Sequence, residues 1–358
     1  MIDPHVHCRD WEEDYKETIE HALDVAERAG IFAIFDMPNT QPSITSRDTV
    51  RLRLRDAKRA RSNVFYGLHV GLTSNPDQIK ETVDCVRDYF PKPKDNVGVV
   101  GLKMFAGKSV GDLSVSDSGE QLVVYKTLAS LGYEGILVVH CEKESEMHHE
   151  LFDVEHPVSH CIARPTSSEF ESVKDQINFA REAGFKGRLH IAHVSHIYTA
   201  ALVDSAKSEL RISMGVTLHH LLLNYDLMKG EHGIFYKVNP PLRSPENQKQ
   251  MLEYFLSGHF DTLETDHAPH TISEKTGKAK DSKGNPLYMS GIPWLAFSND
   301  ALAILRRMGA EEGLLKRMTH DRVNEIYGTS ISHRDLRGKV IEGDDRDFYA
   351  FNPLEYVR

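Results

Sequence analysis

The chain has 358 residues, of which 40% are hydrophobic and 27% are charged, and its formal net charge is −10. This length suits one large α/β domain or two ordinary ones, and the negative charge argues against a general nucleic-acid-binding role. The sequence contains no apolar run of about 18 residues, no visible secretory signal and no C-x-x-C pair, so the reducing cytoplasm is the expected location.

Short apolar runs alternate with helical patterns along the whole chain. The apolar runs predict eight β-strands, at 2–7, 31–39, 63–72, 97–105, 135–142, 188–195, 210–220 and 261–268. The clearest helical patterns between them lie at 15–30, 167–184 and 244–256. The first of these has apolar residues at helical spacing, namely Ile19, Ala22, Leu23, Ala26 and Ala29.

Eight strands that alternate with helices predict an α/β fold, the (β/α)₈ TIM barrel, with a doubly wound open sheet as the alternative. The glycine pattern of dinucleotide-binding folds does not follow the first strand, which favours the barrel. Polar residues also cluster at the carboxyl ends of successive strands, where barrels carry their active sites. We expect the barrel to occupy 1–330 and a short tail, 331–358, to pack on it.

Two polar stretches allow more local predictions. The basic stretch 51–62 is typical of the solvated face of a helix, and a phosphate-binding patch is the less favoured alternative. The stretch 273–291 is rich in turn-forming residues and predicts a mobile loop after the eighth strand.

The first strand carries two closely spaced histidines. Because side chains along a strand alternate between two faces, Asp3, His5, His7 and Arg9 are expected to share one face. Two imidazoles on one face can bind one metal ion. An H-x-H pair also occurs by chance among surface histidines. The residues at the other strand ends are therefore needed to distinguish a metal site from surface histidines.

Polar residues also lie at the ends of four other predicted strands. They are Lys103 in GLKMF, His140 in VVHCE, His193 in HIAHVS, and Asp266, His267 and His270 in ETDHAPH. A buried lysine or aspartate is costly unless it is paired or metal-bound. For each residue alone, a core hydrogen bond or salt bridge is the more common explanation. Together on one rim of a barrel, they predict a metal site.

The motifs HVHCRD, MPNT, GLKMF, VHCE, HIAHVS, VNPPLRS and TDHAPH follow one another in this order. With them the chain resembles the cyclic amidohydrolases, and most of all the dihydroorotases, from about residue 3 to residue 300. MPNT (37–40), NPPLR (239–243) and DHAPH (266–270) favour dihydroorotase over its hydantoinase-like relatives. The resemblance implies a reversible cyclisation of N-carbamoyl-L-aspartate to L-dihydroorotate, a step of pyrimidine biosynthesis.

The resemblance also implies two Zn²⁺ ions in each subunit. The implied ligands are His5, His7 and Asp266 for one ion, and His140 and His193 for the other. Lys103 stands where many relatives carry a carboxylated lysine that bridges both ions, and an uncarboxylated lysine paired with a carboxylate is the alternative. A lysine reacts with CO₂ only as the neutral amine, which requires a lowered pKa. Asp266 is further expected to act as the general base and then as the general acid.

The substrate contacts are also implied by the resemblance. Arg9, Asn39 and His270 are expected to bind the substrate carboxylate, Arg9 through two parallel hydrogen bonds. The expected ring contacts are Asn239, Ser290 and Gly291. The loop after Lys103 is expected to close over the substrate, with Ser109 as its contact residue.

Two other functions stay open. A hydantoinase, dihydropyrimidinase or allantoinase would share the metal centre, but a neutral ring does not need a group that binds a carboxylate. A non-catalytic scaffold homologue would typically have lost metal ligands, and this sequence keeps every candidate. The expected partners are the small-molecule substrate, further copies of the chain or other pyrimidine-pathway enzymes, and neither nucleic acid nor a membrane.

The sequence departs from the family pattern in two places. Many relatives continue after the arginine with an acidic residue and Pro-Gly, whereas Arg9 is followed by Asp10, Trp11 and Glu12. A first loop of different shape is therefore expected. Many relatives also place a small β-sandwich before the H-x-H motif, and we expect this N-terminal sandwich to be largely absent.

Overall fold

The protein is seen in a computed structural model that describes residues 1–92, 94–108, 113–333, 344–355 and 357. Its eight strands are β1 (Ile2–Val6), β2 (Ala33–Asp36), β3 (Phe65–Gly71), β4 (Val97–Ala106), β5 (Ile136–Cys141), β6 (Arg188–Ile191), β7 (Ile212–Thr217) and β8 (Thr262–Glu264). All neighbouring pairs are parallel, and the strand order in the sheet is the order along the chain. Each predicted strand therefore corresponds to one observed strand, and only β4 extends past its predicted end, by one residue.

Helices connect these strands. The α-helices of the described residues are α1 (Ile19–Arg28), α2 (Arg47–Arg59), α3 (Pro76–Tyr89), α4 (Ser118–Ser130), α5 (Ser159–Ala163), α6 (Thr166–Ala183), α7 (Ile197–Ala206), α8 (Leu218–Leu222), α9 (Pro245–Leu256), α10 (Ile272–Lys275), α11 (Ser298–Arg307), α12 (Glu312–Lys316), α13 (Arg322–Tyr327) and α14 (Asp344–Asp347). Short 3₁₀ turns lie at Glu144–Glu146, His149–Leu151, Tyr225–Lys229, Gly233–Tyr236 and Leu295–Phe297, and one π turn lies at Arg317–Asp321.

The sheet closes where β1 meets the end of β8. The backbone N–H of His7 donates to the carbonyl of His267 at 2.8 Å. The Asp3 carboxylate accepts hydrogen bonds from the Thr265 backbone N–H at 3.1 Å and from the Thr265 hydroxyl at 2.5 Å. The predicted TIM barrel is thus confirmed, and the open doubly wound sheet is wrong.

Helix α1 illustrates how the sequence pattern produces the outer layer. The Thr18 hydroxyl accepts a hydrogen bond from the backbone N–H of His21 and so caps the first turn. The apolar face of the helix is buried against the barrel, at Ile19, Ala22, Leu23, Val25 and Ala26. Burial of this stripe, rather than intrinsic propensity, is what stabilises a helix of this length.

The basic stretch 51–62 forms most of α2, and one of its arginines is not solvated. Arg53 is fully buried and donates two hydrogen bonds to one oxygen of Asp36, at 3.0 and 2.7 Å. The Tyr66 hydroxyl donates to the same oxygen, and the other oxygen accepts the backbone N–H of Cys8. The predicted solvated face is therefore wrong at Arg53, because this buried ion pair supports the chain just after β1.

The described part of the C-terminal segment contacts the barrel. Tyr349 is buried, and its hydroxyl donates to Glu17 at 2.7 Å. The other oxygen of Glu17 pairs with His267 at 2.8 Å, which connects this segment to the loop after β8. Among the helices of the described ranges, none is long and apolar enough to cross a membrane.

Candidate active site

A cavity of about 310 Å³ lies at the carboxyl ends of the strands. Its lining includes the predicted site residues His5, His7, Arg9, Asn39, Lys103, His140, His193, Asn239, Asp266, His270, Ser290 and Gly291. The structure therefore brings together residues from all parts of the barrel sequence. Ser109, the predicted loop contact, lies outside the described residues.

The first group in the cavity consists of His5, His7 and Asp266. The Nε2 atoms of His5 and His7 lie 3.4 and 3.1 Å from Oδ1 of Asp266. One ligand atom from each residue can be chosen so that all three lie within 4.8 Å of one another. Two imidazoles and a carboxylate at such distances suit a divalent transition-metal ion.

The second group is the pair His140 and His193, whose rings come from the ends of β5 and β6. Nδ1 of His140 lies 3.1 Å from Nε2 of His193. The His193 ring is also 5.1 Å from the ring of His5, so the two groups are neighbours. Burial, with a smaller effect from the charge of His140, holds the pKa of His193 well below its ordinary value and favours the neutral, ligand-competent imidazole.

Lys103 lies on β4 and is fully buried in the wall of the same cavity. Its Nζ atom has no hydrogen-bond partner among the described residues, and it lies 4.9 Å from the ring centre of Phe105. Burial lowers the pKa of Lys103 to about 8, although the nearby carboxylates Asp266 and Glu264 oppose the shift. An unpartnered, buried amine beside four histidines fits the position of a group that completes a metal site.

Buried acidic residues orient the histidines from behind, and the sequence analysis missed them. Glu264 lies 3.3 Å from Nδ1 of His5, accepts a hydrogen bond from the backbone N–H of His193 at 3.2 Å, and pairs with His190 at 2.8 Å. It therefore contacts both histidine groups. The sequence did indicate this role for Glu264, because it precedes Asp266 by two residues and falls on the same face of the predicted strand.

Glu142 plays the corresponding part for His140. It lies 3.0 Å from Nε2 of His140 and binds Arg164 through two hydrogen bonds, at 3.0 and 2.5 Å. With Nε2 engaged by the carboxylate, Nδ1 of His140 is left to face His193. Such outer contacts fix the tautomer and the ring orientation of a metal ligand.

Asn39 follows β2 and contacts a histidine as well as the cavity. Its Oδ1 atom accepts a hydrogen bond from Nδ1 of His7 at 2.7 Å. This contact leaves Nε2 of His7 facing Asp266. It also leaves the amide nitrogen of Asn39 as a donor for a ligand, so the predicted substrate contact and the histidine contact are compatible.

Arg9 provides the positive charge of the cavity, and only 5% of its surface is exposed. Its Nε–H donates to the carbonyl of Pro269 at 3.2 Å, and a terminal N–H donates to Nε2 of His270 at 3.0 Å. Within the described ranges, no carboxylate lies within ion-pair distance of this guanidinium. A buried charge without a counterion is costly, which favours an anionic ligand at this position.

Arg9 does not reach the cavity by strand alternation, because β1 ends at Val6. Arg9, Asp10 and Trp11 have φ values of 50°, 73° and 56°, in the left-handed region that non-glycine residues rarely adopt. The turn is held by two contacts of the Trp11 side chain. Its Nε1–H donates to Asp56 at 3.1 Å, and the guanidinium of Arg53 lies 5.1 Å from its ring.

The opposite wall is built from the segments around Asn239 and Gly291. Oδ1 of Asn239 accepts a hydrogen bond from the Ser290 hydroxyl at 3.3 Å, and the backbone N–H of Gly291 donates to the carbonyl of Lys237 at 2.9 Å. Gly291 has a φ of 154°, and a Cβ atom there would collide with the carbonyl of Ala268. Glycine is therefore required for this close approach of two backbone segments.

Curated relatives resemble this chain in sequence, and solved structures resemble it in fold. The dihydroorotase of Pyrobaculum aerophilum is 30% identical over 284 residues, which cover 78% of this chain and 61% of the relative. The dihydroorotase of Methanosphaera stadtmanae is 28% identical over 365 residues, which cover 99% of this chain and 75% of the relative. The allantoinase of Salmonella gallinarum is 26% identical, again over 99% of this chain and 75% of the relative. The chain thus spans about three fifths to three quarters of the length of these relatives.

Among solved structures, an L-hydantoinase from Arthrobacter aurescens superposes with a TM-score of 0.77 at 24% identity, covering 91% of this chain and 70% of that one. A dihydroorotase from Campylobacter jejuni gives 0.65 at 16% identity, covering 93% and 84%. At these identities the structures support the fold alone, and no protein-family model matches the chain. In sequence, the chain is thus similar to several dihydroorotases and to an allantoinase.

Proposed function

We propose that the protein is a dihydroorotase, which reversibly cyclises N-carbamoyl-L-aspartate to L-dihydroorotate in pyrimidine biosynthesis. The observation that carries this proposal is the buried guanidinium of Arg9, which lies in the same cavity as the histidine groups and lacks a carboxylate partner among the described residues. The substrate has a carboxylate to offer, whereas a neutral hydantoin or dihydropyrimidine would leave this charge uncompensated.

For the metal centre we propose two Zn²⁺ ions in each subunit. His5, His7 and Asp266 would bind one ion and His140 and His193 the other, with carboxylated Lys103 between them. The unpartnered Nζ atom of Lys103 and the close approach of the histidine nitrogens within each group support this assignment. Two bound ions would lower the pKa of a water molecule and polarise the carbonyl group of the ring amide.

The proton transfers of the reaction are assigned to Asp266. In the hydrolytic direction, Asp266 accepts the proton of the attacking water as the new C–O bond forms at the ring carbonyl. When the ring C–N bond breaks, Asp266 gives this proton to the leaving nitrogen. In the biosynthetic direction the same residue takes the proton from the ureido nitrogen, and the ring closes with loss of water.

The walls of the cavity would hold the ring in place. Arg9 offers two parallel N–H groups to the substrate carboxylate, Asn39 adds its amide nitrogen, and His270 supports Arg9 from the side. Asn239, Ser290 and Gly291 would contact the opposite edge of the ring. Fixing the ring at both edges places its amide carbonyl at the metal centre.

A direct test compares three substrates on protein whose metal content has been measured. We expect kcat/KM for L-dihydroorotate to exceed that for hydantoin and for dihydrouracil by about 100-fold or more, because only dihydroorotate carries the carboxylate that Arg9 binds. A preference for either neutral ring would instead identify a hydantoinase or dihydropyrimidinase. Absence of bound zinc together with absence of turnover would identify a scaffold homologue.

We further propose that the enzyme works in the cytoplasm as a homo-oligomer or with other pyrimidine-pathway enzymes, and that residues 1–330 form its barrel domain and 331–358 an accessory tail. Light scattering of the purified chain tests whether it forms a homo-oligomer. A single species with the mass of one chain would exclude the homo-oligomer.

A further inference from the structure

Asn239 lines the cavity, and the oxygen of its side-chain amide is bound to the cavity wall. Its Oδ1 atom lies 2.9 Å from Nε2 of His160 and accepts a hydrogen bond from the Ser290 hydroxyl at 3.3 Å. Among the described residues, no acceptor lies within hydrogen-bond distance of the amide nitrogen. The two N–H groups of this amide are therefore available to a ligand.

His160 lies on α5, behind the cavity wall, and only 4% of its surface is exposed. Its Nε2 atom lies 3.1 Å from the carbonyl oxygen of Val238 as well as 2.9 Å from Oδ1 of Asn239. A carbonyl oxygen can only accept a hydrogen bond, so the contact with Val238 requires a hydrogen on Nε2. That hydrogen in turn requires an acceptor at Asn239, which is the oxygen of the amide.

The surroundings of His160 make the reverse orientation of the amide costly. Burial, with the charges of Lys237 and Arg164, holds the pKa of His160 well below its ordinary value and favours the neutral imidazole. The ring packs edge-on against Phe152, with 5.8 Å between the ring centres. An inverted Asn239 amide would bring its N–H groups against the N–H of the imidazole and lose a buried hydrogen bond.

Ser290 favours the same orientation from the other side. The Nζ atom of Lys237 donates to the Ser290 hydroxyl oxygen at 2.8 Å and to the Tyr288 carbonyl at 2.7 Å. The hydrogen of the Ser290 hydroxyl is then left for Oδ1 of Asn239. Two neighbours thus need an acceptor at the wall, so the N–H end of the amide is the end left for a ligand.

The ring of L-dihydroorotate has one acceptor that the proposed contacts leave unbound. Its carboxylate, its reacting amide carbonyl and its urea carbonyl alternate around the six-membered ring and point in three different directions. In the proposed function, Arg9 binds the carboxylate and the metal centre binds the amide carbonyl. The urea carbonyl oxygen remains for a third side of the cavity, and it is an acceptor for the N–H groups of Asn239.

We propose that His160 is a positioning residue, which holds the amide of Asn239 so that its N–H groups bind the urea carbonyl oxygen of the substrate. The inference rests on the proposed function and names the part of the substrate that this wall recognises. When the ring C–N bond breaks, electron density moves onto the leaving nitrogen and the adjoining urea oxygen. A hydrogen bond to this oxygen is therefore stronger in the transition state than in the ground state.

The first experiment compares L-dihydroorotate with its thio analogue, in which sulfur replaces the urea oxygen. Sulfur is a weak acceptor, so the analogue gains little from the amide of Asn239. We expect His160→Leu to lower kcat/KM for L-dihydroorotate about fivefold or more, and to change kcat/KM for the thio analogue less than about twofold. A residue that merely supported the wall would lower both values equally.

The second experiment is a double-mutant cycle on L-dihydroorotate alone. We expect Asn239→Ala to lower kcat/KM about tenfold. Adding His160→Leu to Asn239→Ala should lower it by less than about a further twofold, because a positioning residue acts through the amide that is already gone.

Two variants serve as controls. His160→Gln keeps an N–H group near the position of Nε2 and should retain the wild-type preference for the oxygen substrate. His156→Ala removes an exposed histidine of the same segment, which pairs with Asp153 at 2.8 Å, and both kcat/KM values should stay within about twofold of wild type. If His160→Leu does not fold, His160→Asn replaces it, because its shorter amide places no N–H at Oδ1 of Asn239.

Equal losses for the two substrates in His160→Leu would overturn the inference, as would additive losses in the double-mutant cycle. Either result would show that His160 only supports the wall. Unchanged kinetics of His160→Leu would overturn it as well. Failure of the proposed function looks different, because the wild-type protein itself would then not turn over L-dihydroorotate.

Discussion

The charged and polar groups at the two ends of the cavity have different kinds of protein partner. At the metal end, a carboxylate or an amide oxygen of the protein supports the histidines from behind: Glu264 at His5, Glu142 at His140 and Asn39 at His7. At the other end, which we call the cation end, Arg9 has a backbone carbonyl and an imidazole as its partners. In the proposed function, the protein thus orients its metal ligands itself, and the carboxylate of the substrate is the expected partner at the cation end.

The largest effect is expected from Asp266→Asn, which removes the proton acceptor at the metal end. We expect kcat to fall by about 1,000-fold or more, in the range typical of a lost general acid–base group. Circular dichroism should show an unchanged fold, because the residue lies in a loop after β8. Full activity of this variant would exclude Asp266 as the general base.

Arg9→Ala tests the cation end. We expect kcat/KM to fall about 100-fold, mainly through KM, because a charge-assisted pair of hydrogen bonds to the substrate carboxylate is lost. Arg9→Lys is the matched control and should recover only part of the loss, since lysine lacks the planar fork. Steady-state kinetics with unchanged saturation behaviour in Arg9→Ala would argue against the carboxylate contact.

Glu264→Gln tests whether metal binding depends on the metal end of the cavity alone. We expect the metal affinity to fall about 10- to 100-fold, because His5 loses a carboxylate that fixes its orientation. The measurement is the zinc content after dialysis against a series of chelator concentrations. Arg9→Ala should retain zinc as the wild type does, and equal losses in the two variants would remove the distinction between the ends.

The smallest effect is expected from Trp11→Phe, which removes the hydrogen bond to Asp56 and keeps an aromatic ring beneath the Arg53 guanidinium. The left-handed turn that carries Arg9 should loosen. We expect KM to rise about threefold and the free energy of unfolding to fall by about 1 kcal/mol. Denaturant unfolding and substrate titration measure the two effects. Asp56→Asn keeps an acceptor for the indole and should change KM less.

Much of this site could be predicted from the sequence, because two rules connect sequence to space in a parallel barrel. Side chains two residues apart share a face, and the carboxyl ends of all strands meet on one rim. These rules are sufficient to bring His5, His7, His140, His193 and Asp266 together. The same rules also pointed to Glu142 and Glu264, because each lies two residues from a predicted metal ligand.

Other features depend on contacts that no local pattern encodes. Lys237 acquires its partners from Tyr288 and Ser290, some fifty positions along the chain, within a stretch that the sequence alone presented as a mobile loop. Arg53 is an intermediate case. Its position between Val50 and Leu54 places it on the buried face of α2, whereas its charge alone predicts an exposed side chain. The ion pair with Asp36, which explains its burial, depends on a contact outside the helix.

The closure of the barrel between β1 and β8 has a consequence for the folding of the protein. The residues that meet there are far apart in the chain, as in the pair Asp3 and Thr265, which are separated by 262 positions. Joining them costs loop-closure entropy, and the joint contains only a few hydrogen bonds. His5 and His7 lie on one side of this joint and Asp266 lies on the other.

A cation bound by these three side chains would therefore connect the first strand to the segment that follows the last strand. It would bind the closed barrel and not the opened one, and so would stabilise the joint by mass action. Hydrogen exchange at the amide of His7, which bonds across the joint, would then be slow with zinc and faster after its removal. The ion that serves the chemistry would also hold the first strand in place.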